Sequence, residues 1–341
     1  MLSTYINKLD QNKTLNQSES RDCLNTLFQE DCTEEEILKL LTLLRDYGET
    51  VDEVVGFAQA IQKESIPLTL NKPCIDVCGT GGSGKDRFNV STAAVFILGA
   101  LGIPVSKHGN RGSKTSNGSF DFLEALDIPF NHDAEVITEI FKETGICFIF
   151  ARQFHPSLAK VGPARQALGT RSIFNYLGPL CNPANPGYQI IGTSTLEIAK
   201  KLAKAKQILG TQKTLVIVGA NGLDELSTSG KSDILEVSST SIIQHKVDPK
   251  ELGLVYHNEN EISGKTATEN ANVFKDLFKK GNSQAPISQV ICLNAGAALW
   301  CMGHTESIEN GFKLAQSALK SGKAWETFIK YQSIAQKKRA H

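Results

Sequence analysis

Apolar residues at Ile37, Leu38, Leu40, Leu41 and Leu44 recur at the three-to-four spacing of one helix face, directly behind Thr33-Glu34-Glu35-Glu36. That tetrad is a capping box: a Thr hydroxyl and a Glu three residues on can satisfy each other's free backbone N–H groups. Gly48 is the stop, and Thr50-Val51-Asp52-Glu53 opens a second helix towards Lys63. No strand pattern precedes Pro73, so the leading segment is expected to be helical, and its excess of leucine makes it a candidate dimer surface. From Ile75 the pattern changes to short apolar runs, at Ile75–Cys78, Ile103–Ser106, Ile146–Phe150, Tyr188–Gly192, Leu215–Gly219 and Ile234–Val237. Helical stretches such as Ala134–Thr144 and Leu196–Leu209, closed by Gly145 and Gly210, lie between them. Apolar strands alternating with helices predict a parallel sheet covered on both faces. The expected architecture is α/β: a small N-terminal helical domain over residues 1–70, joined by helices near 165–185, and a larger domain over 71–341 with a mainly parallel central sheet flanked by helices. The polar tail Gln336–His341 is expected to fray.

Composition narrows the function classes. The 341 residues carry 36 basic and 36 acidic side chains, so no global field favours nucleic acid or an anionic membrane. No apolar run approaches the ~20 residues a membrane span needs. Met1 to Leu9 is polar where a signal peptide needs its apolar region, so a cytoplasmic location is expected. Eight cysteines stand at 23, 32, 74, 78, 147, 181, 292 and 301, with Cys147 and Cys292 in apolar runs read as strands. Cys74 and Cys78 lack a second pair at zinc spacing. They are read as reduced core thiols, which suits a reducing compartment.

The densest candidate chemistry is Cys78-Gly79-Thr80-Gly81-Gly82-Ser83-Gly84-Lys85, a glycine loop after a strand and before a helix that Ser91 or Thr92 could cap. Free amides and a positive helix end pointing at one place bind phosphate. The spacing nearly matches a nucleotide-binding P-loop, but Asp86 stands where that motif needs Ser or Thr for magnesium. A phosphosugar is the better fit. Asn89 adds hydrogen bonding, and the Ser91 hydroxyl could ligate a hard cation. Lys107-His108-Gly109-Asn110-Arg111 is read as a basic loop following a strand, with Lys107 a point charge for phosphate. Asp224-Glu225 could bridge magnesium ions on a diphosphate, and Arg165 could clamp a carboxylate in bidentate fashion.

Taken in order, these residues resemble the anthranilate phosphoribosyltransferase family of the nucleoside phosphorylase class III fold. The resemblance rests on Gly79-Thr80-Gly81-Gly82, Phe88-Asn89-Val90-Ser91-Thr92, Lys107-His108-Gly109-Asn110-Arg111, Phe154-His155-Pro156, Pro163-Ala164-Arg165, Arg171-Ser172-Ile173-Phe174-Asn175, Leu177-Gly178-Pro179-Leu180, Gly222-Leu223-Asp224-Glu225 and Asn294-Ala295. It runs from the N-terminal helices to about Gly303 and implies transfer of phosphoribose from phosphoribosyl pyrophosphate (PRPP) to the amine of anthranilate, releasing pyrophosphate. By matching position, it implies PRPP binding by Gly79, Gly82, Ser83, Arg87, Asn89, Val90, Ser91, Thr92, Lys107 and Ser119. Anthranilate would fall to Gly79, Asn110 and Arg165, with His108, His155 and Pro179 along its path. Magnesium (Mg2+) would be held by Ser91, Asp224 and Glu225, and catalysis would rest on Lys107, Asp224 and Glu225. A homodimer through the helical domain is also implied.

Some positions depart from the family pattern. Asp usually stands at Ser83 and at Asn221, a small hydroxyl residue at Arg87, and a serine-rich loop at Lys114–Asn117. These departures leave open a paralogue with another acceptor. A pyrimidine nucleoside phosphorylase would share the fold but carry a Lys-His-Ser loop. A non-catalytic nucleic-acid-binding relative would need the basic surface this chain lacks.

Overall fold

A computed structural model describes residues 2–81, 87–112 and 117–339. Four helices lead: α1 (Ser3–Asp10), α2 (Gln17–Gln29), α3 (Glu34–Tyr47) and α4 (Val51–Lys63). Both expected capping boxes are present, Thr33 with Glu36 and Thr50 with Glu53. Asn16 and Glu19 form another at α2.

The alternating region follows. In chain order it comprises β1 (Ile75–Gly79), α5 (Val90–Ala100), β2 (Val105–Gly109), α6 (Ser119–Ala125), α7 (Ala134–Thr144), β3 (Ile146–Phe150), α8 (Ala151–Phe154), α9 (Gly162–Leu168), α10 (Phe174–Leu177), β4 (Tyr188–Gly192), α11 (Leu196–Leu209), β5 (Lys213–Val218), β6 (Ser232–Val237), β7 (Ile242–Val247), α12 (Glu259–Ile262), α13 (Ala267–Lys280), α14 (Pro286–Cys301), α15 (Ile308–Lys320) and α16 (Lys323–Arg339). The strands form one seven-stranded sheet in the order β3-β2-β1-β4-β5-β6-β7. The first five are parallel, whereas β6 and β7 pair antiparallel.

Alternation along the strands divides the core. Ile190, Leu215 and Ile217 face a cluster built with α5 and α13 to α16, while Ile191 and Val216 face one shared with α1 to α4 and α9 to α11. The N-terminal helices thus pack on one face of the sheet through Val161, Ala164, Ile173 and Leu177.

Four expectations change. The run at 103–106 is displaced, so Lys107 and His108 lie within β2 rather than in a loop. Helix α5 begins at Val90 after Asn89, without a side-chain cap, rather than being capped by Ser91 or Thr92. Cys292 belongs to α14, buried on nearly every side, and not to a strand. Residues 336–339 of the tail are helical: Gln336 donates to the Asp127 carbonyl and Lys338 pairs with Glu139.

Candidate functional site

The strand order reverses between β1, which has β2 on one side, and β4 on the other. Such a switch point opens a crevice beyond the carboxyl ends of the strands. Gly79 and Gly192, paired in register, end the two strands there. Both are small for a reason. A Cβ on Gly79 would lie 2.7 Å from Asp224 Oδ2, and one on Gly192 would collide with the Asp224 backbone. Two glycines therefore let the Asp224-Glu225 loop descend onto the end of the sheet. Asn294 of α14 holds that loop, its amide taking up both backbone groups of Leu226 at 2.9 and 2.8 Å.

On the other side of the crevice, Arg87 ion-pairs with Asp224, and Glu225 also attracts it. Burial lifts the Glu225 carboxyl to about 7, with Arg87 pulling the other way. Asn89 donates to the carbonyls of Asn117 and Gly118 at 3.2 and 3.4 Å. Val90 and Thr92 are buried in the first turn of α5. Arg171 reaches across to the Gly81 carbonyl at 2.5 Å and to Ser194 at 3.2 Å, gripping the glycine turn, where Gly81 has φ +65°. Gly82 and Ser83 lie outside the described residues.

Lys107 does not project outward from a loop. Its ammonium is buried beneath the rim, donating to the Val77 carbonyl at 2.5 Å and to Ser91 Oγ at 3.1 Å. Desolvation lowers its pKa, with Asp76 opposing. Asp76, fully buried on β1, accepts from the His108 N–H and from Gln189, each at 3.2 Å. One carboxylate therefore fixes the register of β2 at His108 and balances the charge of Lys107.

The residues read for an acceptor are spread along the neighbouring wall. His108 and His155 meet edge to face with centroids 5.1 Å apart. Burial lowers them to about 3 and about 4 respectively, so both are neutral. His108 Nδ1 stands 3.3 Å from the Gly178 carbonyl, which places a donated proton on Nδ1. Pro179 is buried beside it, its carbonyl accepting from Gln189. Arg165 on α9 lies over the Phe174 ring at 5.5 Å, its pKa lowered by desolvation. Asn110 is exposed at the end of β2, and its carbonyl accepts from Ser119 Oγ at 3.2 Å. No interaction among the described residues ties Arg165 to Asn110 directly.

Sequence reasoning passed over Asn270, which is 2% exposed on α13. Its amide donates to the Arg87 carbonyl at 3.2 Å and to the side chains of Asn89 and Asn117, each at 3.1 Å. Asp121 was passed over too; it accepts from Gly112 and Gly118 N–H at 2.8 Å and so holds those two residues together. Asn270 has no local signal, since these partners lie on other elements, whereas Asp121 stands three residues after Gly118, the N-cap of its own helix α6.

Two family models match the chain: the α/β domain of a glycosyl transferase family over residues 71–325, and its helical bundle domain over residues 3–65. Anthranilate phosphoribosyltransferase of Rubrobacter xylanophilus is 35% identical over 99% of this chain and 98% of its own length. The chain belongs to the anthranilate phosphoribosyltransferase family. Membership makes it a pentosyltransferase, and solved structures of the family share the whole architecture. Anthranilate phosphoribosyltransferase from Thermus thermophilus is similar with a TM-score of 0.91 at 33% identity, covering 97% of this chain and 99% of that one. The Saccharomyces cerevisiae enzyme in complex with PRPP and Mg gives a TM-score of 0.90 at 25% identity, covering 98% of each.

Proposed function

We infer that this chain transfers phosphoribose from PRPP to the amine of anthranilate, releasing pyrophosphate, as a step in tryptophan biosynthesis. The observation that carries the reading is the pair of glycine strand ends at the switch point, which let the Asp224-Glu225 loop approach the end of the sheet.

Breaking the bond from C1 to pyrophosphate puts positive charge on the ribose and negative charge on the leaving group. The amides of the glycine turn, held by Arg171, would take up the developing anion. Lys107 would act from beneath, orienting Ser91 and adding fixed positive charge to the floor. The donor set suits Mg2+, since two carboxylates and a hydroxyl are hard oxygen ligands and a cation, Arg87, already rests on Asp224. Ser91, Asp224 and Glu225 would hold that ion, which supplies neutralising charge to the diphosphate. Among the described residues, no group of three or more His, Cys, Asp or Glu could hold a metal without substrate oxygens. Gly79, Gly82, Ser83, Arg87, Asn89, Val90, Thr92 and Ser119 are assigned to PRPP.

Asn110 and Arg165 are assigned to the anthranilate carboxylate. Neutral His108 and His155 line its path with Pro179, an apolar wall suited to an aromatic ring. An aromatic amine has its lone pair at neutral pH, so positioning replaces a strong base.

The decisive experiment follows loss of anthranilate fluorescence with purified protein, PRPP and Mg2+. Loss requiring all components, and reduced at least about 100-fold in kcat/KM by Arg165→Ala, supports the assignment, as removal of a charged substrate contact commonly costs several kcal/mol. PRPP binding by calorimetry without fluorescence loss would retain the fold's donor substrate and overturn anthranilate.

We also assign residues 1–70 and 71–341 as the two domains and place the enzyme in the cytoplasm as a homodimer joined through the helical layer. Tyr47, 51% exposed, and Leu43 share one face of α3, a surface suited to a second copy.

A further inference from the structure

The Arg87 guanidinium is a charged group placed against a carboxylate that the proposed function gives to a metal. Its side chain is 24% exposed and that of Asp224 only 5%, so the pair is largely withdrawn from water. The backbone of Arg87 is pinned independently of its charge. Asn117 and Asn270 both donate to its carbonyl, at 2.8 and 3.2 Å, and residue 87 bridges to Ser263. Gly264 packs directly on the same peptide. The guanidinium therefore starts from a fixed point, with Asp224 within reach and Glu225 adding attraction. Arg171, the neighbouring cation, is committed to Gly81 and Ser194.

A buried carboxylate must be paired, and removing its partner leaves an uncompensated charge. Arginine cannot escape by losing its proton. We propose that Arg87 is a built-in competitor for the metal site: its guanidinium neutralises Asp224 in the substrate-free protein, and a divalent cation must displace it to use that carboxylate. The metal site is then weak until an incoming anion draws the guanidinium away, so that diphosphate and metal enter together. The inference rests on the assignment of Asp224 as a metal ligand.

The test uses Mn2+ alone with the full chain, measuring free ion by electron paramagnetic resonance for the native protein and for Arg87→Ser, Arg87→Lys, Asp224→Asn and Arg87→Ser/Asp224→Asn. Circular dichroism melts show that each variant is folded. Arg87→Ser is expected to bind Mn2+ at least about tenfold more tightly than the native protein, a modest share of what a unit charge at contact exerts near a protein surface. Arg87→Lys should stay closer to native, and the gain should vanish in the double variant. Equal Mn2+ affinity in native and Arg87→Ser protein, with loss on Asp224→Asn, overturns the competition while leaving Asp224 a metal ligand. A gain that survives in the double variant overturns the assignment of Asp224 itself. No measurable binding to Arg87→Ser overturns the competition.

Discussion

Three asparagines far apart in the chain, Asn89, Asn117 and Asn270, meet around the Arg87 carbonyl and join α5, the residues just before α6, and α13. A buried amide in such a junction is hard to replace, because each lost donor leaves another buried group without a partner. Asn270→Ala also removes the acceptor for the Lys265 N–H. It is expected to cost about 1–3 kcal/mol of stability, the penalty for stranded buried polar groups. PRPP affinity should fall with it, while a saturated kcat is less affected. Chemical denaturation and calorimetric titration with PRPP check the two parts, and unchanged PRPP affinity would separate Asn270 from the site. Asn89 was legible as a candidate from its place before an apolar helix. Asn270 was not, since nothing within several residues of it distinguishes it from a surface asparagine on a helix.

At the scale of elements, local chemistry was the readable part. Thr33 and Thr50 announce their helices because the cap partners are three residues away. Glycines at 48, 145 and 210 end helices with positive φ as expected. Two kinds of element escaped. In α14, buried nearly all round, the hydrophobic pattern loses its period, so Cys292 reads as part of a strand. In β7 the reverse holds: Ile242 and Ile243 are both exposed, followed by polar residues, and pairing with β6 rather than burial makes the strand. Lys107 and His108 escaped for a third reason. Two polar residues at the end of an apolar run suggest a loop, but Asp76, Val77 and Ser91 supply partners that keep them in the sheet. The candidate site was therefore visible as a set of residue types, and its supports were not.

For the molecule as a whole, buried neutral histidines set a pH dependence whose sign follows directly. Their native pKa values, about 3 for His108 and about 4 for His155, lie below the ordinary 6.5. Unfolded chains therefore take up more protons between those values. The contribution to stability is complete above about pH 6.5 and is lost as pH falls towards 4 and then 3. At pH 5 each histidine withdraws about 2 kcal/mol relative to neutral pH. The acid limb of a Tm-against-pH profile should be shallower in a His108→Gln/His155→Gln variant, and an unchanged limb would place the acid sensitivity elsewhere. Assembly is the second expectation at this scale. Light scattering should give twice the 37.1 kDa chain mass, falling to one chain in Leu43→Glu/Tyr47→Glu. A native mass of one chain would remove α3 as a dimer surface.

The last helix carries a consequence for any shortened form of the gene. Phe96, midway along α5, packs against Phe328 and Tyr331 of α16 with ring centroids 5.3 and 6.2 Å apart. A premature stop after Lys320 would leave every residue assigned to catalysis or binding in the translated product. It would also strip the back of α5, opening a patch of aromatic surface. Such a product would be met by proteases and chaperones as a folding failure, and an inventory of active-site residues would give no warning of it.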